Sequence, residues 1–253
     1  MKGIILAGGT GSRLYPLTKV TNKHLLPVGK YPMIYHPIHK LKEADIYEVL
    51  IVTSREHMGD VVNLLGSGVD FNMQFTYKVQ DEPKGIAQAL GMAEDFAHGE
   101  LITVILGDNV FSDNISDHVK RFRERGSGAN ILIKQVIDPE RYGVPKWEDG
   151  KIVSITEKPS KPDSDFAVTG IYMYDWKVFE IIKTLYPSAR GELEITDVNN
   201  AYIERNEMTY DVLQGWWTDA GTHHSILHAN QLAATLELDK WESNKLEGEI
   251  ERD

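Results

Sequence analysis

The sequence contains no cysteine, which excludes disulfides and thiolate-held zinc and suits a reducing compartment. No apolar run approaches the roughly 18 residues that a membrane-spanning helix needs. The opening "MKGIILAGGTGSR" is too glycine-rich and too briefly apolar for a secretory leader, and reads as a first strand. The expected location is the cytoplasm. Positive charge is scarce: 27 Lys and Arg stand against 38 Asp and Glu, a net charge of −11, so no basic face for nucleic acid is expected. Two familiar phosphate loops are also missing. No Gly-Lys-Ser/Thr follows the first glycines, and the dinucleotide fingerprint fails because Arg13 and Leu14 stand where its third glycine belongs. The nine histidines show no zinc spacing, and no Ser-His-Asp arrangement appears.

What is present suffices for one sizeable core: 253 residues, 42% of them hydrophobic. Apolar or β-branched runs at 3–7, 48–53, 101–106 and 129–136 read as strands, and their continuous apolarity suggests a sheet covered on both faces. Helical patterns at 56–66, 86–99 and 114–126 lie between them, the last two closing on glycine. The alternation predicts an α/β fold, a doubly wound, mostly parallel, Rossmann-like sheet with helices on both faces. Further strands are expected at 151–158 and 166–175. Helices are expected near 176–185, 194–206 and 222–241. A single domain is expected over 1–241, followed by a polar tail at 242–253.

Candidate chemistry gathers in a few stretches. In "LAGGTGSRLYPLT", Gly8, Gly9 and Gly11 allow positive φ and close approach of backbone N–H groups to an anion. Arg13 follows as a two-pronged donor for phosphate. Lys23 lies in the loop-like "NKHLLPVGKYPMI". Asp108, in "LGDN", stands just past the carboxyl end of a buried strand, where open α/β sheets bind ligands. Asp219 lies in "GWWTDAGT". Two carboxylates converging near phosphate would suit Mg²⁺, although each aspartate alone is equally suited to closing a turn.

Taken in order, "LAGGTGSRLYPLT", "NKHLLPV", "PMIYHPI", "GIAQAL", "LGDN", "YGV", "EKP", "AVTGIYMYD", "RGELEITDVN" and "WTDAGT" resemble the sugar-1-phosphate nucleotidylyltransferases over about residues 1 to 235. Singly these motifs are weak, but their joint order is specific. The stretch "VQDEPKGIAQAL" departs from the family's commoner "QPSPDGLAQA", and "WTDAGT" from "WLDTGT". The resemblance implies an enzyme that joins dTTP and glucose 1-phosphate, with Mg²⁺ as cofactor and a homo-oligomeric state, dimer or tetramer. It places Leu6, Gly8, Gly9 and Gly11 along the nucleotide, Gln80 and Gly85 at the base, and Arg13 and Lys23 at the reacting phosphates. Tyr142, Gly143, Glu157, Lys158 and Val168 would shape the sugar-phosphate pocket, and Asp108 and Asp219 would hold the metal. Transfer of another nucleotidyl group, uridylyl above all, is an alternative. A silent regulatory subunit is another, against which the joint presence of Arg13, Lys23, Asp108 and Asp219 argues.

Overall fold

The structure, a computed structural model, describes residues 1–234 and 236. Its first half alternates strand and helix. The order is β1 (Lys2–Ala7), a small hairpin of β2 (Pro27–Val28) and β3 (Tyr31–Pro32), α1 (Tyr35–Glu43), β4 (Glu48–Ser54), α2 (Met58–Leu65), β5 (Gln74–Gln80), α3 (Ile86–Gly91), α4 (Glu94–Ala97) and β6 (Ile102–Leu106). The second half runs β7 (Asn109–Phe111), α5 (Ser116–Arg125), β8 (Ala129–Gln135), β9 (Gly143–Glu148), β10 (Lys151–Glu157), β11 (Phe166–Tyr174), α6 (Lys177–Thr184), α7 (Ile195–Glu204), β12 (Met208–Val212), β13 (Trp217–Asp219) and α8 (His223–Ala233).

Successive side chains of a strand face opposite ways, and here both faces are buried. Ile4 and Leu6 of β1, Leu50 and Val52 of β4, and Ile102 and Val104 of β6 enter one core, together with residues of α3, α6 and α7. Ile5 and Ala7, Val49 and Ile51, and Ile105 enter the other, with residues of α1, α2 and α5. That two-sided burial is why these strands are apolar without interruption. The stretch "PMIYHPI" belongs to this interior: Met33, Ile34 and Ile38 are fully buried.

The sheet has a parallel block and a mixed one. Strands β6, β1, β4 and β5 lie parallel and adjacent. Beyond β6 comes β11, antiparallel to it. One edge of β11 pairs with β8, which carries β12 parallel. The other edge is shared: Ile171–Tyr174 pair with β6, while Val168 pairs with Gly143 of the antiparallel hairpin β9–β10. The sheet therefore forks around Thr169 and Gly170. A Cβ on Gly170 would lie 2.6 Å from Asn109 Nδ2 and 2.7 Å from Leu106, so only bare backbone passes there.

One reading changes in detail. The helix expected over 86–99 breaks after Gly91 and resumes at Glu94, ending on His98 in the left-handed region. Just ahead of α5, Asn114 Oδ1 accepts from the Ser116 N–H at 2.7 Å. The last helix is described only to Ala233, and the rest of its expected span, like the 242–253 tail, lies outside the described residues. Among the described residues no helix is long and apolar enough to cross a membrane.

Two buried histidines give the fold a measurable acid response. Burial pushes His24 down to about 3 and His36 to about 4, so both are neutral in the folded chain at neutral pH. Once unfolded, they bind protons from an ordinary histidine pKa near 6.5 downward. Stability present at pH 7 is therefore lost as the pH falls through the interval from about 6.5 to about 4, by up to roughly 2.7 kcal/mol per pH unit for the two groups. Urea unfolding near pH 7 and near pH 5 checks this, and an unmoved midpoint refutes it.

Candidate active site

A cleft of about 570 Å³ opens at the carboxyl ends of β1 and β6, beside the fork at β11. Leu6 closes its floor at the end of β1, and the chain then turns through Gly8 and Gly9 with φ 93° at Gly9. Arg13 follows in a single 3₁₀ turn, Ser12–Leu14, whose Leu14 is fully buried and so anchors the turn. Among the described residues Arg13 makes no ion pair, which leaves an exposed guanidinium at the cleft. Gly11 is the exception among the expected loop residues, since it lies behind the loop and does not line the cleft. With φ 62°, its carbonyl accepts from Thr18 Oγ1 at 2.9 Å, and a Cβ there would press on Thr18 at 2.7 Å and on Lys23 at 3.3 Å.

Lys23 and Asp108 meet across the cleft floor, Nζ to Oδ2 at 2.6 Å. Burial opposes ionisation of Asp108, but the Lys23 ammonium and hydrogen bonds from Lys23 and Asn109 outweigh it and hold the carboxyl well below the usual range. His24, next in the chain, is locked by Asn22, whose Oδ1 accepts from the His24 N–H at 2.9 Å and contacts Nδ1 at 2.7 Å. Asp219 arrives from the other end of the sequence because β13 pairs antiparallel with β7, setting Asp219 opposite Asn109. The Ala220 N–H donates to the Asp108 carbonyl at 2.8 Å and fixes the two turns together. Burial, then the neighbouring Asp108 charge, push the Asp219 carboxyl up, while Arg141, Arg13 and the Tyr142 hydroxyl pull the other way. Tyr142 donates to Asp219 Oδ1 at 3.2 Å, and Arg141 lies 3.3 Å from the same atom.

The bare backbone of Gly221 makes the space these groups share. A Cβ on it would stand 3.0 Å from Arg13 Nη2, 3.6 Å from Asp108 Oδ2 and 3.7 Å from Asp219 Oδ2. Asp108 and Asp219 are the residues there that could hold a divalent cation, since Mg²⁺ takes one or two carboxylates together with water and phosphate oxygens. Among the described residues no cluster of three or more His, Cys, Asp or Glu forms a metal cage, so ligand oxygens would have to complete the coordination.

The cleft has two distinct ends. At one, Gln80 closes β5 and lies across Gly8, where a Cβ would come within 2.2 Å of Gln80 Oε1. Gln80 Nε2 donates to Gln88 at 2.7 Å and reaches the Gly85 carbonyl at 3.5 Å. Gly85 needs its φ of 105° and its missing side chain, because a Cβ would lie 2.4 Å from the Leu193 carbonyl. Pro83, Ile86 and Ala89 make this end apolar.

At the other end, strand pairing sets Gly143 opposite both Glu157 and Val168. Lys158 turns back with φ 46°, its N–H donating to the Tyr142 carbonyl and its Nζ 3.2 Å from Glu157. The structure adds residues without an expected role. Arg190 lies 3.5 Å from Glu157 and 2.8 Å from Glu194, and Thr196 donates to Glu157 Oε2 at 2.7 Å. Tyr172 and Trp217 complete the wall. Arg190, Glu194 and Thr196 all fall in "RGELEITDVN", where polar side chains in a stretch of helix-start character were the available signal.

Every expected site residue except Gly11 thus lines one cleft. The fold around it is shared with known proteins. The chain is 44% identical over 241 residues to a glucose-1-phosphate thymidylyltransferase of Neisseria meningitidis serogroup A, covering 94% of this chain and 84% of that one. A Bacillus anthracis crystal structure assigned to the same activity and solved with sucrose is 60% identical, covers 95% of this chain and 98% of that one, and superposes with a TM-score of 0.92. A UDP-glucose pyrophosphorylase complexed with UDP-glucose is 24% identical over 91% of this chain and 97% of its own, with a TM-score of 0.80, a likeness of fold alone. The family pattern described as nucleotidyl transferase matches residues 2–235, from the first strand through the Asp219 turn to the last described helix, and the chain belongs to that family.

Proposed function

We propose that the chain transfers a thymidylyl group from dTTP to glucose 1-phosphate, forming dTDP-glucose and pyrophosphate, with Mg²⁺ held by Asp108 and Asp219. The observation that carries this reading is the division of one cleft. Gly8, Gly9, Arg13, Lys23, Asp108 and Asp219 gather beside an apolar end suited to a base, and Gly143, Glu157 and Lys158 gather at the opposite end. The activity named for the Neisseria relative fits that division.

A phosphate monoester has its second pKa near 6, so the sugar phosphate is already mostly a dianion at neutral pH and needs no general base. An oxygen of that dianion attacks the α-phosphorus of dTTP as the bond to the β-phosphate breaks, and pyrophosphate leaves. The difficulty is bringing anion to anion. Arg13, exposed and without an ion pair among the described residues, suits neutralising the departing phosphates, and Lys23 lies where the transferring group would pass. Lys158 suits the sugar phosphate and Glu157 its hydroxyls. Bound between the two carboxylates, Mg²⁺ would polarise phosphoryl oxygens and offset developing charge. Catalysis is then positioning plus charge neutralisation.

Pyrophosphate release with glucose 1-phosphate, Mg²⁺ and each nucleoside triphosphate in turn tests the reading. Turnover is expected with dTTP, and with UTP lower by about 10- to 200-fold, the range one methyl in an apolar pocket provides. Silence with every triphosphate refutes it.

A further inference from the structure

At the apolar end of the cleft, the side chain lying over the glycine loop is an amide, and an amide has two unlike faces. Its oxygen only accepts and its nitrogen only donates, so the face shown to a ligand decides what the ligand must carry. Gln80 closes β5 and lines the cleft. Gln88, half-buried on α3, touches Gln80 without lining the cleft.

Two acceptors hold the Gln80 nitrogen. Nε2 donates to Gln88 Oε1 at 2.7 Å and points to the Gly85 carbonyl at 3.5 Å. Turning both amides over would keep their mutual bond, but would set the Gln80 oxygen against a carbonyl that can only accept. The pairing therefore has one sense: Gln88 supplies the short bond and Gly85 its direction. The Gln80 oxygen is left over the loop, where a Cβ on Gly8 would come within 2.2 Å of it. No hydrogen bond reaches this oxygen among the described residues. Nor is it sealed from solvent, unlike the orphaned hydroxyl of Ser54, which stands opposite Gln80 at the end of β4. Oε1 is an acceptor open to whatever fills the cleft.

An acceptor fixed in this way asks for an N–H on the edge of the base. The imide N3–H of thymine or uracil supplies one. Cytosine has a bare lone pair at N3 and would set two acceptors face to face, which costs an unpaired polar contact. An amide free to turn loses the distinction, because it can show either face. We propose that Gln88 is a positioning residue for base selection: by tethering Nε2 of Gln80 it turns the oxygen to the base, so that nucleotides with an imide N–H are taken and those with a bare ring nitrogen are rejected. The inference rests on the nucleotidylyl-transfer reading.

The test measures kcat/KM for dTTP, dUTP and dCTP with glucose 1-phosphate in the wild type, Gln88→Leu, Gln88→Ala and Gln88→Glu. The ratio of dUTP to dCTP reads the base edge alone, and that of dTTP to dUTP reads the methyl alone. In the wild type dUTP is expected to exceed dCTP by about a hundredfold or more, the scale of a site built around one polar contact. Gln88→Leu and Gln88→Ala cannot accept from Nε2, and in both the ratio is expected to fall by about tenfold or more. The preference for dTTP over dUTP and the KM for glucose 1-phosphate should stay within about twofold of wild type. Gln88→Glu still offers Nε2 an oxygen and is expected to keep the wild-type ratio within about threefold. Leucine preserves bulk and glutamate preserves the acceptor, so their order separates tethering from packing. Thermal melting identifies a variant that has not folded, and either apolar variant alone decides the result. An unchanged dUTP-to-dCTP ratio in the folded apolar variants overturns the proposal, as does a glutamate variant that falls with them. Absence of pyrophosphate from the wild type with every triphosphate overturns the underlying reading as well, whereas turnover with unmoved ratios overturns this inference alone.

Discussion

Arg13→Ala is expected to lower kcat/KM by a hundredfold or more, about 3 kcal/mol of transition-state stabilisation, the loss typical of one preorganised donor aimed at developing charge. The turn that carries Arg13 is fixed by the fully buried Leu14, while the guanidinium itself is exposed and unengaged among the described residues. Nothing in the fold depends on it. Thermal melting should therefore match wild type, and the loss should fall on kcat more than on the KM for dTTP, because the charge it neutralises builds as pyrophosphate leaves. Pyrophosphate release under saturating dTTP measures this directly. Unchanged turnover would remove Arg13 from the reaction.

Asp108→Asn is expected to have the larger effect, about a thousandfold or more in turnover at any attainable Mg²⁺ concentration, since a catalytic cation supplies several kcal/mol. The substitution removes one of two carboxylates facing the space over Gly221 and breaks the 2.6 Å pair with Lys23. The fold should survive. The bond that joins the two turns runs from the Ala220 N–H to the backbone carbonyl of Asp108, which the substitution leaves untouched. The flanking Ile105 and Val110 are fully buried. Calorimetry and the pyrophosphate assay on the same preparation separate the outcomes, and a chain that melts below room temperature would make Asp108 a structural residue.

The parallel block was legible because its strands are apolar on both faces: the runs 3–7, 48–53 and 101–106 return as β1, β4 and β6 within a residue or so. β5 was missed because it is an edge strand of half-buried, mixed composition, "QFTYKVQ". The three-residue strands β7 and β13 carry too little pattern to be read, although their pairing is what brings Asp108 and Asp219 together. The direction of β11 was equally hidden, since a buried apolar strand looks alike whether its neighbour runs with it or against it. At the site, residues beside glycines or at strand ends could be singled out. Arg190 and Thr196 gave only the weak signal of a polar run before a helix, because their contacts with Glu157 depend on how the 190–196 stretch lies against the β9–β10 hairpin, a contact between distant segments.

The fork at β11 also orders the chain by substrate. The groups lining the apolar end and its phosphate loop come from residues 6–23 and 80–89, while those of the opposite end come from 142–199. The two halves meet along the β6–β11 edge at Ile171–Tyr174, and again where the Ala87 N–H donates to the Leu193 carbonyl and the Leu193 N–H to the Lys84 carbonyl. On the proposed reading, the sugar end is thus written mainly in one stretch of chain and the nucleotide end in two. Exchanging the later stretch between relatives is a way to graft a different sugar preference onto an unaltered nucleotide grip, provided that the backbone of Gly170 still slides past Asn109.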